Sequence, residues 1–149
     1  MLPLALTASA VLLLGSASIH TLSLQKRLRI HASSQRELGA DQLRSAAQAF
    51  AAAAYGPESC LLHWAATEWI TAAEECVDSD PAELMHGLVE KTPWSLLDWH
   101  PSGTNGQLQL QLGDRRIGRF RLALNPGGSA VIGISEVQLQ AQVPQLEAQ

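Results

Sequence analysis

The stretch from Leu2 to Leu24 constrains this chain more than any other feature, because it contains no Lys, Arg, Asp or Glu. Its only ionisable side chain is His20. At about 1.5 Å rise per residue, a helix of this length spans roughly 34 Å, which matches the hydrocarbon thickness of a bilayer. The remainder has the composition of a small water-soluble domain, so the segment and the domain need separate explanations.

Three roles for this segment stay open. It is a signal peptide removed after export, a single-pass anchor, or a membrane helix that also packs against copies of itself in a filament. A secretory signal normally starts with a basic region, and only Met1 precedes the apolar run here. The helix-packing residues predicted for the filament role are Ala5, Ala8, Ser9, Leu12, Gly15, Ser16 and Ile19.

The basic residues Lys26, Arg27 and Arg29 follow the apolar stretch directly. Taken literally, the positive-inside rule places the C-terminal part in the cytoplasm, whereas the cysteines favour an oxidising compartment. The two indications agree if a basic leader precedes Met1, because the positive-inside rule would then place that leader in the cytoplasm and the cysteines outside it. We therefore expect this chain to be a processed or truncated form of a longer precursor.

Helical periodicity continues after Lys26, and Gly56-Pro57 is a clear stop signal. Gly39 is the one poor helix former on the way. The pattern predicts a single helix from about Pro3 to Tyr55, with residues 1–25 in a membrane or filament core and residues 26–56 as its amphipathic continuation. Its apolar stripe consists of Leu24, Leu28, His31, Gln35, Leu38, Leu43, Ala46, Ala47, Phe50 and Ala54.

Residues 57–149 have the size of one globular head. Residues 57–104 lack a regular period, although all four Trp of the chain lie there. Asp80-Pro81 predicts the start of a short helix that runs to about Val89, with Asp80 at the N-cap. Trp94 to Trp99 predicts a first strand.

The cleanest strand signal lies in the last third, where Leu108, Leu110 and Leu112 alternate with glutamines. Similar alternation continues to Val143 and predicts an antiparallel meander over residues 105–143, with a bulge near Ser135–Glu136. One face of such a sheet is wet and the other is buried, here against the amphipathic helix. The expected fold class is therefore α+β, with a long N-terminal helix packed on a C-terminal antiparallel sheet.

Cys60 and Cys76 are the only cysteines. An even count behind a membrane segment favours one disulfide, which would stabilise the head by roughly 3 kcal/mol; two buried free thiols are the alternative. A continuous helix would hold the two residues about 24 Å apart, too far for a bond. If the disulfide forms, residues 61–75 are not one straight helix.

The charges are unevenly distributed along the chain, although the net charge is only −4. No basic residue occurs between Arg44 and Lys91, while arginines cluster near residue 118. The two groups are either ordinary solvated faces or complementary surfaces on neighbouring copies. The candidate inter-subunit charges are Glu74, Glu75, Asp78, Asp80, Arg115, Arg116, Arg119 and Arg121.

No catalytic constellation emerges from the sequence, so we expect no enzyme, no cofactor, no metal and no small-molecule substrate. Cys60-x-x-His63 has metal-like spacing, but it lacks a second ligand pair. The arginine strand carries only Phe120 as an interleaved aromatic. DNA is therefore a weak alternative, and no nucleic-acid partner is expected.

An apolar helix, its amphipathic continuation, a two-cysteine irregular region and a C-terminal meander follow in that order. This order resembles the type IV pilin and pseudopilin superfamily, and the minor pilins more than the major ones. Residues 1–6 read MLPLAL and lack the Glu that the family carries at the fifth mature position, as some minor members do.

The resemblance implies a non-enzymatic structural subunit of a type IV pilus or secretion filament. Residues 2–24 would lie in the inner membrane before assembly and in the filament core afterwards, with the head outside the cytoplasm and other pilin-like subunits as partners. The Cys60–Cys76 bond would staple the variable region of the head. The alternative is an exported or membrane-tethered extracytoplasmic binding domain with no filament role.

Overall fold

The computed structural model describes the backbone of residues 2–113 and 115–140. It describes the side chains of residues 19, 21–113 and 115–140. Within these ranges the chain forms two compact units, of which the first ends at Leu38 and the second begins at Gly39. The fold class is α+β, as the sequence predicts. It combines one long helix with a five-stranded antiparallel sheet.

The long helix, α1, runs from Leu2 to Ala53 and confirms the predicted element. It ends because Gly56 takes a positive φ of 111° and Pro57 follows it, which favours a change of chain direction. The predicted packing residues Ala5, Ala8, Ser9, Leu12, Gly15 and Ser16 lie outside the described side chains. Among the described residues, no helix has the length and apolar character needed to cross a membrane.

Short helical segments connect α1 to the sheet. Two 3₁₀ turns cover Pro57–His63 and Ala66–Glu68, and they are followed by α2 (Trp69–Ala72) and α3 (Pro81–Met85). Asp80 caps α3 as predicted, since its side chain accepts a hydrogen bond from the Ala82 backbone N–H at 2.9 Å.

The sheet is a simple meander in which every strand pairs with the next one in the chain. Its strands are β1 (His86–Val89), β2 (Thr92–Ser102), β3 (Asn105–Leu112), β4 (Ile117–Leu124) and β5 (Val131–Gln140).

The sheet begins earlier than the sequence pattern indicates. The prediction of a helix to about Val89 is wrong, because α3 stops at Met85 and His86–Val89 form an edge strand that pairs with Thr92–Ser95. Irregular structure is therefore confined to residues 57–85 rather than 57–104. The tight turn between the two strands places Glu90 at a positive φ of 57°. Pairing of the two strands in the hairpin therefore determines the conformation here, rather than the local helical preference of the sequence.

Strand β5 also departs from the predicted alternation. Its pairing with β4 skips Val137, directly beside the predicted bulge at Ser135–Glu136, and it also skips Ile132, so the strand carries a second bulge that the pattern does not predict. Val137 was expected on the buried face, but its side chain is exposed because of the bulge. The predicted continuation of this strand to residue 143 lies outside the described residues.

The core lies between the second half of α1 and one face of the sheet. The ring of Phe50 is fully buried, with its centroid 5.9 Å from that of Trp99 and 6.5 Å from that of Trp69. The predicted buried face of the sheet is therefore the one that covers the helix. Its other buried members include Leu43, Ala46, Ala47, Ala54, Leu61, Leu62, Leu108, Leu110, Leu112, Phe120, Leu122 and Leu124.

Candidate assembly surfaces

The disulfide is present and joins Cys60 to Cys76, whose Cα atoms lie 5.8 Å apart. The bond closes a loop that contains the second 3₁₀ turn and α2, so the intervening chain is broken rather than one straight helix. Cys76 is buried in the core and Cys60 packs at its edge. The formation of this bond excludes Cys60 as a metal ligand beside His63.

The disulfide loop lies on the same side of the sheet as α1. The Trp99 indole N–H donates to the Leu62 carbonyl at 3.1 Å, which ties the first 3₁₀ turn to β2. The Trp69 indole N–H donates to the Trp64 carbonyl at 3.0 Å. Because these bonds satisfy two large buried side chains, the position of the loop against the core is well specified.

The end of the loop and the two residues after Cys76 present an acidic patch to solvent, which we define as Glu74, Glu75 and Asp78 with the apolar side chains of Ile70 and Val77. All three carboxylates are exposed, and none of them forms an ion pair with another described residue. Ile70 is 75% exposed and Val77 is 83% exposed. The patch therefore offers aliphatic surface as well as negative charge to solvent.

A shallow groove of about 270 Å³ adjoins the acidic patch. Glu75 and Thr71 line one part of it, and Trp64 and Glu68 line another. Trp64 is 38% exposed, which is unusual for a large aromatic side chain and adds stacking surface to the acidic patch. No sequence pattern separates this Trp from the three buried ones.

The opposite face of the sheet carries a basic groove of about 340 Å³, which we define as Arg119 and Arg121 with Gln107, Gln109 and Val137. The register places Gln107 opposite Arg121 and Gln109 opposite Arg119, so the two strands present two polar rows to solvent. Neither arginine forms an ion pair with a described residue.

Asp98 lines the same groove, and the register places it beside Gln109. Strand β3 therefore lies between Asp98 and Arg119, and their backbone positions are two inter-strand spacings, about 10 Å, apart. Asp98 forms no ion pair with either arginine. The groove residues Asp98, Gln107, Gln109 and Val137 were not predicted as site residues, although the alternating glutamines place two of them on the wet face.

The four predicted arginines do not act as one cluster. Arg115 is exposed at the turn before β4, where it holds a φ of 67°. Arg116 folds over α1, and a Cβ built at Gly39 would overlap its guanidinium. The absence of a side chain at Gly39 is thus what lets Arg116 lie against the helix, and Arg116 is only partly exposed.

A separate ion-pair cluster lies along the rim between α1 and β5. The Arg44 guanidinium donates to Glu136 at 2.8 Å and to Asp41 at 2.7 Å. These hydrogen bonds raise the pKa of Arg44 above its ordinary value, and the bond to Glu136 contributes more than the bond to Asp41. All three side chains are substantially exposed, so the cluster contributes little to stability.

The first unit carries an apolar stripe that nothing in the described structure covers. Leu24 is 59% exposed, Leu28 is 69% exposed and Leu38 is 58% exposed. Ile19, the one predicted packing residue with a described side chain, is 69% exposed. The stripe repeats at alternating steps of four and three residues through His31 and Gln35, which is the spacing of a helix–helix seam.

Among the described residues, no group of three His, Cys, Asp or Glu side chains is arranged to hold a metal ion. No protein-family model, curated protein or solved structure matches this chain.

Proposed function

We propose that this protein is a non-enzymatic structural subunit of a pilin-like filament, of the minor pilin or pseudopilin kind. The observation that carries the proposal is the exposed stripe of Leu24, Leu28 and Leu38 on α1. The later residues of the same stripe are covered by the sheet, whereas these have no partner within the described chain. Helices from other subunits would bury them at heptad-like spacing.

Three further features support this role. The uncharged stretch Leu2–Leu24 has the length of a membrane or filament-core helix. The head is stapled by the Cys60–Cys76 disulfide, which suits an oxidising compartment outside the cytoplasm. Neither of the two grooves described above holds a paired nucleophile and base, which fits a binding or structural role.

The direct test is co-purification of the chain with a pilus or secretion filament from the cells that produce it. N-terminal sequencing of the mature protein adds a second criterion. A retained and methylated N-terminus on residues of the apolar stretch supports a pilin-like subunit, whereas loss of residues 1 to about 18 shows a cleaved signal peptide and overturns the proposal.

Paired substitutions on α1 test the stripe itself. Leu28→Gln with Leu38→Gln removes two members of the seam, and we expect loss of filament incorporation with unchanged membrane insertion. Ser33→Gln is the matched control, because it lies about 140° around the helix from both leucines. Incorporation that survives the double substitution means that the stripe is not a subunit contact.

A second candidate function is that of an extracytoplasmic binding domain tethered to the membrane. The basic groove on the wet face of the sheet favours it, since convergent guanidinium and amide groups suit a soluble anionic ligand. This candidate predicts a monomeric protein that is absent from filaments. The co-purification experiment separates the two functions.

A further inference from the structure

The acidic patch and the basic groove lie on opposite sides of the sheet in the second unit. Hydrogen bonding of Trp99 to Leu62 fixes the disulfide loop on the side of the buried face. Arg119 and Arg121 point from the other face, because their neighbours Phe120 and Leu122 are buried in the core. The two surfaces of one molecule therefore cannot meet each other.

We infer that the basic groove of one copy receives the acidic patch of a second copy. The inference rests on the proposed filament function and specifies the contact between neighbouring heads. Each surface carries unpaired charges of a single dominant sign, and each also exposes apolar side chains: Val137 in the groove, and Ile70 and Val77 in the patch. Opposite charge with apolar contact on both sides is the composition expected of matching interfaces.

The hydrogen-bond donors of the basic groove match the carboxylate acceptors of the acidic patch. Arg119 and Arg121 are two residues apart on one strand, so their positions are separated by about 7 Å. Guanidinium groups form two parallel hydrogen bonds with a carboxylate, and Gln107 and Gln109 provide further amide donors beside them. Glu74 and Glu75 are adjacent in a turn, which leaves both carboxylates free to reach across a contact.

The symmetry of such a contact has a structural consequence. Two different surfaces meet, so the contact is heterologous: the first copy keeps its acidic patch unoccupied, and the second keeps its basic groove unoccupied. Repetition adds further copies in one direction and does not close a dimer. This property is what a head must have when its subunits are stacked along a filament.

The experiment uses two charge-reversed variants of the full 149-residue chain in detergent micelles at low ionic strength. One carries Arg119→Glu with Arg121→Glu, and the other carries Glu74→Arg with Glu75→Arg. Association of the chain is measured by sedimentation velocity. The matched control carries Lys91→Glu with Glu83→Arg, which reverses exposed charges outside both surfaces.

We expect each variant alone to associate at least about tenfold more weakly than the unmodified chain, since like charges then meet at the contact. An equal mixture of the two variants restores association, because the acidic patch of the first fits the basic groove of the second and the reversed surfaces also match. About 0.5 M salt weakens association of the unmodified chain. The control variant associates like the unmodified chain, and all variants keep its melting temperature.

The inference is overturned if the mixture fails to restore association, or if reversal of Arg119 and Arg121 leaves association unchanged. A labelled single-stranded oligodeoxynucleotide is the probe for a different occupant. Its binding to the unmodified chain, lost on reversal of the arginines while association persists, assigns the groove to a polyanion and also overturns the inference.

Failure of this contact is distinguishable from failure of the proposed function. A chain that co-purifies with filaments but shows no rescue in the mixture has the filament function without this head contact. A chain that shows rescue but never co-purifies with filaments has the contact without the filament function.

Discussion

The two halves of α1 share one apolar stripe but differ in what covers it. From Leu43 to Ala54 the stripe is buried beneath the sheet and the disulfide loop, while Leu24, Leu28 and Leu38 stay exposed. The sequence pattern is nearly the same in both halves. The difference teaches that periodicity identifies an apolar face, whereas the rest of the chain decides whether that face becomes core or interface.

The largest effect should follow from Phe50→Ala in the covered half. Its fully buried ring contacts Trp69 and Trp99, so the substitution leaves a large cavity and should cost about 3–5 kcal/mol in the free energy of unfolding of the head. Leu28→Ala in the uncovered half should cost less than about 0.5 kcal/mol. Urea denaturation followed by Trp fluorescence measures both, and similar costs would break the comparison.

Removal of the disulfide should have the next largest effect, because the loop that it closes covers part of α1. The double substitution Cys60→Ser with Cys76→Ser should lower the free energy of unfolding of the head by roughly 3 kcal/mol. Reductant should lower the melting temperature of the unmodified chain and leave that of the double variant unaltered. Identical melting of oxidised and reduced protein would contradict the stabilising role.

Gly39 sharpens the comparison at the start of the covered half. Gly→Ala inside a helix normally stabilises by about 1 kcal/mol, but here the new methyl group would displace the Arg116 guanidinium. We expect Gly39→Ala to give no gain in the unmodified chain and a gain of about 1 kcal/mol in an Arg116→Ala background. Thermal unfolding of the four proteins in this double-mutant cycle provides the measurement. Equal effects in both backgrounds would show that Arg116 does not depend on Gly39.

The smallest effect should come from Arg44, at the rim of the covered half. Arg44→Ala removes its bonds to Glu136 and Asp41 and should cost at most about 1 kcal/mol, since the groups are exposed. The cost should shrink in about 0.5 M salt. A cost that is independent of salt in chemical denaturation would point to packing of the Arg44 aliphatic stem instead.

Local sequence patterns predicted the elements whose conformation depends mainly on residues close to them in the sequence. Alternation at Leu108–Leu112 identified β3, and the Gly56-Pro57 stop placed the end of α1 to within a few residues. The disulfide was favoured from the cysteine count and is present. These features depend on neighbours in the sequence or on simple counting.

Features that depend on distant residues were not predicted. The strand at His86–Val89 exists because β2 pairs with it, and the second bulge, at Ile132, depends on register against β4. The basic groove required the knowledge that Gln107 and Gln109 lie beside Arg121 and Arg119. Arg116 was grouped with its neighbours by sequence, but its guanidinium packs on a helix residue that precedes it by more than seventy positions.

The order of elements along the chain also determines when the core can close. The covered half of α1 emerges early from the ribosome or the export channel, but β3 and β4, which supply Leu108 and Leu122 to the core, follow much later in the chain. Each strand pairs with its predecessor, so the sheet can grow stepwise as it appears. Phe50 can pack on Trp69 and Trp99 before these strands appear, but the core lacks Leu108 and Leu122 until then, and the emerging chain is vulnerable to aggregation and to proteolysis during this interval.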